Sequence, residues 1–561
     1  MSRNKIYIAA LIFVVFLTYM PSLWGGFVFD DKILMSSPII QRASLPRVVL
    51  ASIKDILGAK HQNYWRPLAV TSVWLEHKLY GKRPLFYKID QMLLHFLAAL
   101  LVWFVSRKVL REKFAVPGGR AETLAYLVAL MWAAHPSHCE VVATVSGRYD
   151  IFAGIFVLIA FYLFLRAEEE KNLRRQDFII AATGGVYLLG LLSKEAAAPL
   201  PIFLLTLLLF PQFSKKTVLK TAGFMLIVFF ALYFPVRQSI LGDTGQIFRH
   251  QHFWGGLFNT PYLLAKYLQL LIVPYFPRPV YFIDIFTIAL DLRTILSWII
   301  FAPFAVIVVY SLIRRTAEGF GFLWYLVFIA PVMGIFYVAG TIVAERFLYI
   351  PSVGFFVALV HYLERRYLKH TLAKILLGIY LLSWMITGFV YINTAWTTQR
   401  KIAEYTMKHC PNTEVGYLLG AVDAIKSGEP ERAIEYLRQC AAQVGIYSDD
   451  FCRPMALAQT MIGDTDSAIY WYRRGLAAKP DDPQFHNNLG VLLLDRGMAD
   501  SARIHFESAL RSDSTYVPAY KSLIRYYLLR GDTTSAERVY GVMQRIISQQ
   551  VDIPGAKKLQ K

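Results

Sequence analysis

Apolar runs close to 20 residues long recur along the first 400 positions of this chain, at 6–24, 89–106, 121–134, 150–165, 177–193, 197–212, 219–240, 294–313, 322–340, 347–364 and 372–394. A helix of about 20 residues spans the roughly 30 Å hydrocarbon core of a bilayer and satisfies its own backbone there. The hydrophobic fraction of 56% excludes an ordinary soluble protein. The expected fold class is all-α: a polytopic membrane helical bundle of about 11 spans, followed by a C-terminal α-solenoid. The first run follows a basic leader, Met-Ser-Arg-Asn-Lys. Pro21 and Trp24 stand where a small-residue cleavage site would lie, so it reads as an uncleaved anchor.

Charge gives the topology. The net charge is +20, yet from residue 398 onward 21 Lys and Arg face 19 Asp and Glu. The excess therefore belongs to the membrane half and reports sidedness, not nucleic-acid binding. Clusters at Arg3/Lys5, Arg107–Arg120, Arg166–Arg175, Lys215–Lys220, Arg314/Arg315 and Arg365–Lys374 alternate as cytoplasmic loops only if the apolar stretch Pro261–Pro274 does not cross. The C-terminal region then shares the external side with the two long loops, about 25–88 and 241–293. An amphipathic stretch in the first of these, Leu45–Leu57, is suited to lying along the membrane surface.

The chain changes character after residue 397. A linker is expected over 398–411, repeats over 412–548 and a tail over 549–561. Gly428, Gly463, Gly497 and Gly531 recur at intervals of 35, 34 and 34, each followed by a small residue, Ala433, Ala468, Ala502 or Ala536. That is the period of tetratricopeptide (TPR) helix pairs, in which the glycine ends the first helix and the alanine lets the second pack closely. Four repeats are expected, a solenoid suited to holding a protein or peptide in its groove. Of the four cysteines, Cys440 and Cys452 are the two that could pair outside the cytoplasm; sequence leaves their state open.

Polar residues gather in the external connections. Asp30 and Asp31 follow the first span, where carboxylates suit removal of a proton from an acceptor while a lipid-borne donor lies alongside. Others are Tyr64-Trp65-Arg66-Pro67, Tyr87 with Asp90 and His95, His135-Pro136-Ser137-His138-Cys139-Glu140, Ser146-Gly147-Arg148-Tyr149-Asp150, Lys194-Glu195 and Ala344-Glu345-Arg346. His135, His138 and Glu140 resemble a metal set, but Pro136 distorts the spacing and structural hydrogen bonding is the better reading. No metal site is assigned, although an acidic pair is able to hold a divalent ion. External arginines run against the positive-inside bias, and an anionic ligand, phosphate above all, accounts for them.

These strings resemble the transmembrane and tetratricopeptide-repeat-containing O-mannosyltransferases, a branch of the GT-C membrane glycosyltransferases, and a bacterial member in particular. The matching pieces are Phe29-Asp30-Asp31, Trp65-Arg66-Pro67-Leu68, Tyr87 with His95, His135-Pro136-x-His138-x-Glu140, Gly147-Arg148-Tyr149-Asp150, Lys194-Glu195 and Glu345-Arg346-x-Leu348-Tyr349-x-Pro351-Ser352. They cover nearly all of the chain in order. Asp90 departs from the Asn usual in the family, and Tyr281-Phe282-Ile283-Asp284 lacks an expected Asp-Trp pairing.

The resemblance implies a GT-C-like transferase domain over 1–397, with catalysis on the external face. Its donor would be a polyprenyl-phosphate sugar, with mannose the expected hexose, its acceptor Ser or Thr of a protein held by the TPR groove, and its outcome inversion at the sugar. Asp30 would be the base with Asp31 beside it. Arg148, Lys194 and Arg346 would meet the donor phosphate. Arg66, His95, His138, Glu140, Asp150, Glu195 and Glu345 would hold sugar or acceptor. The setting would be a bacterial inner membrane with periplasmic repeats, or the endoplasmic reticulum with lumenal ones. Competing readings are transfer to a glycan or lipid acceptor, and a transporter or assembly scaffold with a docking domain. The one-sided polar clusters and the absence of inverted symmetry weigh against a transporter.

Overall fold

The computed structural model describes residues 3–57, 64–242, 253–281, 292–333, 343–445 and 448–551. Asp284, the end of the 322–340 run and the last ten residues of the tail lie outside the described residues. The described residues are helical apart from short connections and one isolated β-bridge, Tyr281 to Val343. They divide into two compact units, Met1–Ile402 and Ala403–Lys561.

The principal helices of the first unit are α1 (Arg3–Tyr19), α2 (Asp30–Ser36), α3 (Pro67–Tyr80), α4 (Pro84–Lys108), α5 (Gly118–Ala133), α6 (Arg148–Glu169), α7 (Leu173–Leu191), α8 (Lys215–Ile227), α9 (Phe234–Leu241), α10 (Phe253–Ile272), α11 (Leu292–Ile313), α12 (Ala317–Ile329), α13 (Pro351–Arg366) and α14 (Thr371–Tyr391). Helices α8 and α9 are continuous through a π-helical turn, Val228–Tyr233. Among the described residues, six stretches are long and apolar enough to cross a membrane: Arg3–Trp24, Pro84–Lys113, Arg148–Glu169, Lys215–Leu241, Ile295–Ile313 and Thr371–Trp396. Glu195–Leu209 and Ala317–Val332 are shorter apolar helices. The chain is thus an integral, multi-pass membrane protein. The expected count of eleven goes beyond these six, because α5 and α13 are only 16 residues long and α7 opens on Arg174, Arg175 and Asp177.

Lipid-facing surface is visible on the outer helices. On α14, Leu372, Ile375, Leu376, Ile379, Leu382, Ile386 and Val390 are exposed, one apolar stripe that water would not tolerate and acyl chains would cover. Inside the bundle, α12 and α13 cross where Gly321 meets Gly354: a Cβ on Gly321 would lie 2.3 Å from the Gly354 carbonyl oxygen. Such close backbone approach lets dispersion contacts hold membrane helices that gain nothing from excluding water. The segment Pro261–Pro274 is part of a longer helix than its apolar run suggested, since α10 starts at Phe253 and carries Pro261 within it. Leu45–Leu57 forms two short helices, Leu45–Leu50 and Ile53–Leu57, with Val48, Ile53 and Ile56 packed into the cluster that also holds Tyr87 and Tyr149.

The second unit consists of stacked helix pairs: α15 (Glu414–Lys426) with α16 (Pro430–Val444), α17 (Asp449–Met461) with α18 (Thr465–Ala478), α19 (Pro483–Asp495) with α20 (Ala499–Ser512), and α21 (Val517–Leu529) with α22 (Thr533–Val551). The four periodic glycines all have positive φ, between 73° and 83°, and turn each pair. The four alanines are buried between helices. Cys440 and Cys452 are buried in separate core clusters.

Candidate active site

The connections of the first unit that carry the polar strings converge. Asp30 and Asp31 form the first turn of α2, where acidic side chains favour the helix N-terminus. They are presented by Phe29, whose φ of 53° and ψ of −128° are rarely adopted by a residue with a Cβ. The Phe29 N–H is held by Gln399 Oε1 at 2.8 Å, and its ring packs near Trp396. This is the backbone outlier nearest to the acids, and it fixes their direction.

The two acids part company at once. Asp31 is fully buried; its Oδ2 accepts the Val145 N–H at 2.8 Å and its Oδ1 the Ser146 N–H at 2.9 Å. Lys88 Nζ lies 3.5 Å from Oδ2 and also donates to the Ala143 carbonyl. Asp31 therefore clamps the loop that leads into α6. Asp30 remains half-buried, and its charge is felt by Tyr149 and Arg346.

That loop carries the next residues. Gln91 Nε2 donates to Val141 O at 3.1 Å and Thr144 O at 2.6 Å. Gly147 then turns so tightly that a Cβ would sit 2.0 Å from Val141 O. The turn sets Arg148 and Asp150 on the first turn of α6, facing different ways. Arg148 is fully buried, with Nε on Gln91 Oε1 at 2.9 Å and its guanidinium on Glu76. Asp150 accepts from Lys194 Nζ at 2.6 Å.

Two further ion pairs flank that one. Arg66 binds Glu195 Oε2 through Nε and a terminal nitrogen, at 3.2 and 3.0 Å, and its guanidinium lies 4.4 Å from the Tyr64 ring centroid and 5.1 Å from that of Tyr149. Arg346 binds Glu140 at 2.5 Å. Lys194 also feels Arg66 and Arg346, and Arg346 feels Asp150, so the three pairs form one mixed-charge cluster. Burial pulls the Lys194 ammonium below its ordinary range, and Asp150 opposes that shift. Glu345 lies 2% exposed beside it. Its Oε1 accepts the Tyr281 hydroxyl at 2.5 Å and the Arg278 N–H at 2.8 Å, while Oε2 has no partner among the described residues. Burial raises this carboxyl to about 8, with a smaller push from Glu140.

The histidines occupy the packed interior. His95 Nε2–H donates to Ala133 O at 3.2 Å and Nδ1 accepts from Tyr349 at 3.0 Å. His135 bridges Ser137 and the Leu271 carbonyl. His138 contacts Ser352 at 3.3 Å and packs tilted against Trp132 and edge-on to Tyr349. Among the expected site residues, Asp30, Arg66, Glu140, Asp150, Lys194, Glu195, Glu345 and Arg346 thus come together, whereas Arg148, His95 and His138 are sealed beneath them.

Lys88, Gln91, Glu76 and Arg237 were not singled out from sequence. The available signal was their setting: Lys88 and Gln91 fall three apart with His95 four further on, a polar row in an otherwise apolar helix, and Arg237 stands in a lipid-length helix.

No family profile matches the chain. Curated relatives do. A Caenorhabditis elegans protein O-mannosyl-transferase, F38B6.6, is 25% identical over 430 residues, covering 73% of this chain and 59% of its own. Human protein O-mannosyl-transferase TMTC3 is 24% identical, covering 71% of this chain and 47% of its own. Human TMTC1 is 23% identical over 86% of this chain and 56% of its own. The chain spans about half the length of these relatives. The resemblance read from the motifs is to the same group. Among solved structures, a crystal structure of MamA matches 27% of this chain and 88% of its own at 20% identity, with a TM-score of 0.25.

Proposed function

We propose that this chain, like the relatives it resembles, is a membrane glycosyltransferase, and that it moves a hexose, mannose in the first instance, from a polyprenyl-phosphate carrier to Ser or Thr hydroxyls of proteins on the extracytoplasmic side. The observation that carries the proposal is the cluster itself. One half-buried carboxylate, Asp30, stands beside three ion pairs at the helix ends of an apolar bundle.

The chemistry follows from that arrangement. Asp30 takes the proton of the acceptor hydroxyl; the oxygen forms a bond to the anomeric carbon as the bond from that carbon to the phosphate oxygen breaks. The phosphate leaves with the bonding electrons and needs no proton, because its pKa is low. Nearby cations stabilise the charge that builds on it. Attack opposite the leaving group inverts the anomeric centre. Asp31 is a positioning residue that holds the 143–146 loop. Glu140, Asp150 and Glu195 accept sugar hydroxyls in this reading when their cations turn to the donor. The helix pairs of the second unit would raise the effective concentration of a protein acceptor.

The test is transfer of labelled mannose from polyprenyl phosphate to a protein acceptor by the full chain in nanodiscs. Asp30→Asn is expected to lower turnover by at least about a hundredfold, the range for loss of a positioned general base, with unchanged thermal stability. Undiminished transfer would remove Asp30 from the mechanism.

A further inference from the structure

Each cation expected to receive phosphate already holds an acid: Arg148 holds Glu76, Lys194 holds Asp150 and Arg346 holds Glu140. Arg66 holds Glu195 in the same way. One buried guanidinium of the cluster differs. Arg237 on α9 is 6% exposed and has no carboxylate partner among the described residues. It stands one turn after Tyr233, also buried, whose hydroxyl lies against the Arg237 guanidinium.

Both side chains border the cluster. The Tyr233 ring stacks on Trp65 at 6.3 Å, next to Arg66. Tyr233 feels Glu195, Arg237 and Arg66, and Tyr64 feels Arg66, Glu195, Arg237 and Arg346. Glu195, the acid whose charge Tyr233 feels, is engaged by Arg66 through Oε2 and forms no ion pair with Arg237 among the described residues. A buried cation without a counter-charge is costly, and proteins keep one where an anion arrives. The π-helical turn Val228–Tyr233 ends on Tyr233, and such turns are common at functional positions.

The exposed residues around this pair on the same helix identify the ligand further. Phe230, Leu232, Phe234 and Val236 are exposed there and apolar. The helix therefore presents a dehydrated cation and a hydroxyl with exposed apolar side chains flanking them.

We infer that Arg237, with Tyr233 beside it, receives the phosphate of the polyprenyl-phosphate donor, while the polyprenyl chain runs along the exposed face of α8 and α9. This inference rests on the proposed function and names the anchor within that site. Arg237 forms paired N–H bonds to phosphate oxygens, Tyr233 donates a third, and the cations at Lys194 and Arg346 stay with their acids until the sugar is engaged.

The experiment measures binding by the full chain in detergent of three probes: sugar-free polyprenyl phosphate, uncharged polyprenol, and phosphatidylglycerol. Wild type is expected to prefer polyprenyl phosphate over both others. Arg237→Met is expected to weaken polyprenyl phosphate about tenfold or more, to leave polyprenol unchanged, and to melt no lower than wild type without ligand, since it removes a buried charge that has no carboxylate partner among the described residues. Arg237→Lys is expected to fold and to lose about threefold, a point charge replacing a fork. Tyr233→Phe is expected to lose a few-fold, about one hydrogen bond to a charged group.

If Arg237→Met binds polyprenyl phosphate as wild type does, or melts lower without ligand, the assignment is overturned. Should that variant not fold, an Arg237→Lys protein with wild-type affinity overturns it equally. Phosphatidylglycerol bound as tightly as polyprenyl phosphate, with both lost in Arg237→Met, would make this a general lipid-headgroup site and overturn the donor assignment. A wild-type chain that does not distinguish polyprenyl phosphate from polyprenol would instead refute the functional reading itself.

Discussion

Asp30 and Asp31 are neighbours in sequence with opposite environments, and substitution should separate them. Asp31→Asn leaves Lys88 buried without a charge partner and turns an amide N–H₂ towards the Val145 or Ser146 N–H. Breaking a buried pair costs on the order of 3 kcal/mol, so the melting temperature should fall clearly, in contrast to the expected neutrality of Asp30→Asn. Differential scanning fluorimetry of the two proteins in the same detergent checks this. Glu345 gives a pH signature. Its folded-state pKa is raised to about 8, so between the ordinary carboxylate range and pH 8 the folded protein retains a proton that the unfolded chain has lost. Stability from this group therefore declines as pH rises through that window. Glu345→Gln should match wild type near pH 5 and lose part of the decline between pH 5 and 8. Identical melting profiles for the two proteins across that range would contradict the assignment. The sequence motifs pointed to both acids as one pair. Nothing in their spacing could show that one faces the backbone amides of a loop more than 110 positions away.

At the scale of elements, the site depends on how helices are started and crossed. Gly147→Ala places a methyl against the Val141 carbonyl, and the turn that sets Arg148 and Asp150 has to deform. A fall in monodisperse yield, together with lower thermal stability, is expected from size-exclusion chromatography and melting. Gly321→Ala should separate α12 from α13, since the contact it would invade is Gly354 backbone, which has little room to move. Its expected effect is a drop in melting temperature with the ion-pair cluster unaltered. Helix existence was legible from apolar runs alone, and the turn glycines of the second unit from their period. The extent of α10 was not, because Pro261 and Lys266 broke the apolar run that signals a helix, while the helix continues through both. Lys88 and Arg237 were hidden for a related reason: an ionisable residue in an apolar helix is visible, but its partner, or its lack of one, belongs to packing.

For the whole molecule, the proposal requires that the acids, the cations and the repeat unit share one aqueous compartment. The four native cysteines are buried, which gives a low background for an impermeant maleimide. Cysteines introduced at exposed Ser36 and Ser512 should both label from outside intact cells, and one at Lys171 only after permeabilisation. Labelling at Ser36 without Ser512 would separate the repeats from the chemistry. One arrangement in the first unit has a bearing on selectivity. Arg66, Lys194 and Arg346 are each occupied by Glu195, Asp150 and Glu140. Under the proposed function, a sugar phosphate reaching them would enter as a competitor in an exchange of partners: every cation it captured would release a carboxylate towards the hydroxyls of the sugar it carries. Ligands lacking either the anion or the hydroxyls would complete only half of that trade, so discrimination would reside in the swap and not in the shape of a cavity.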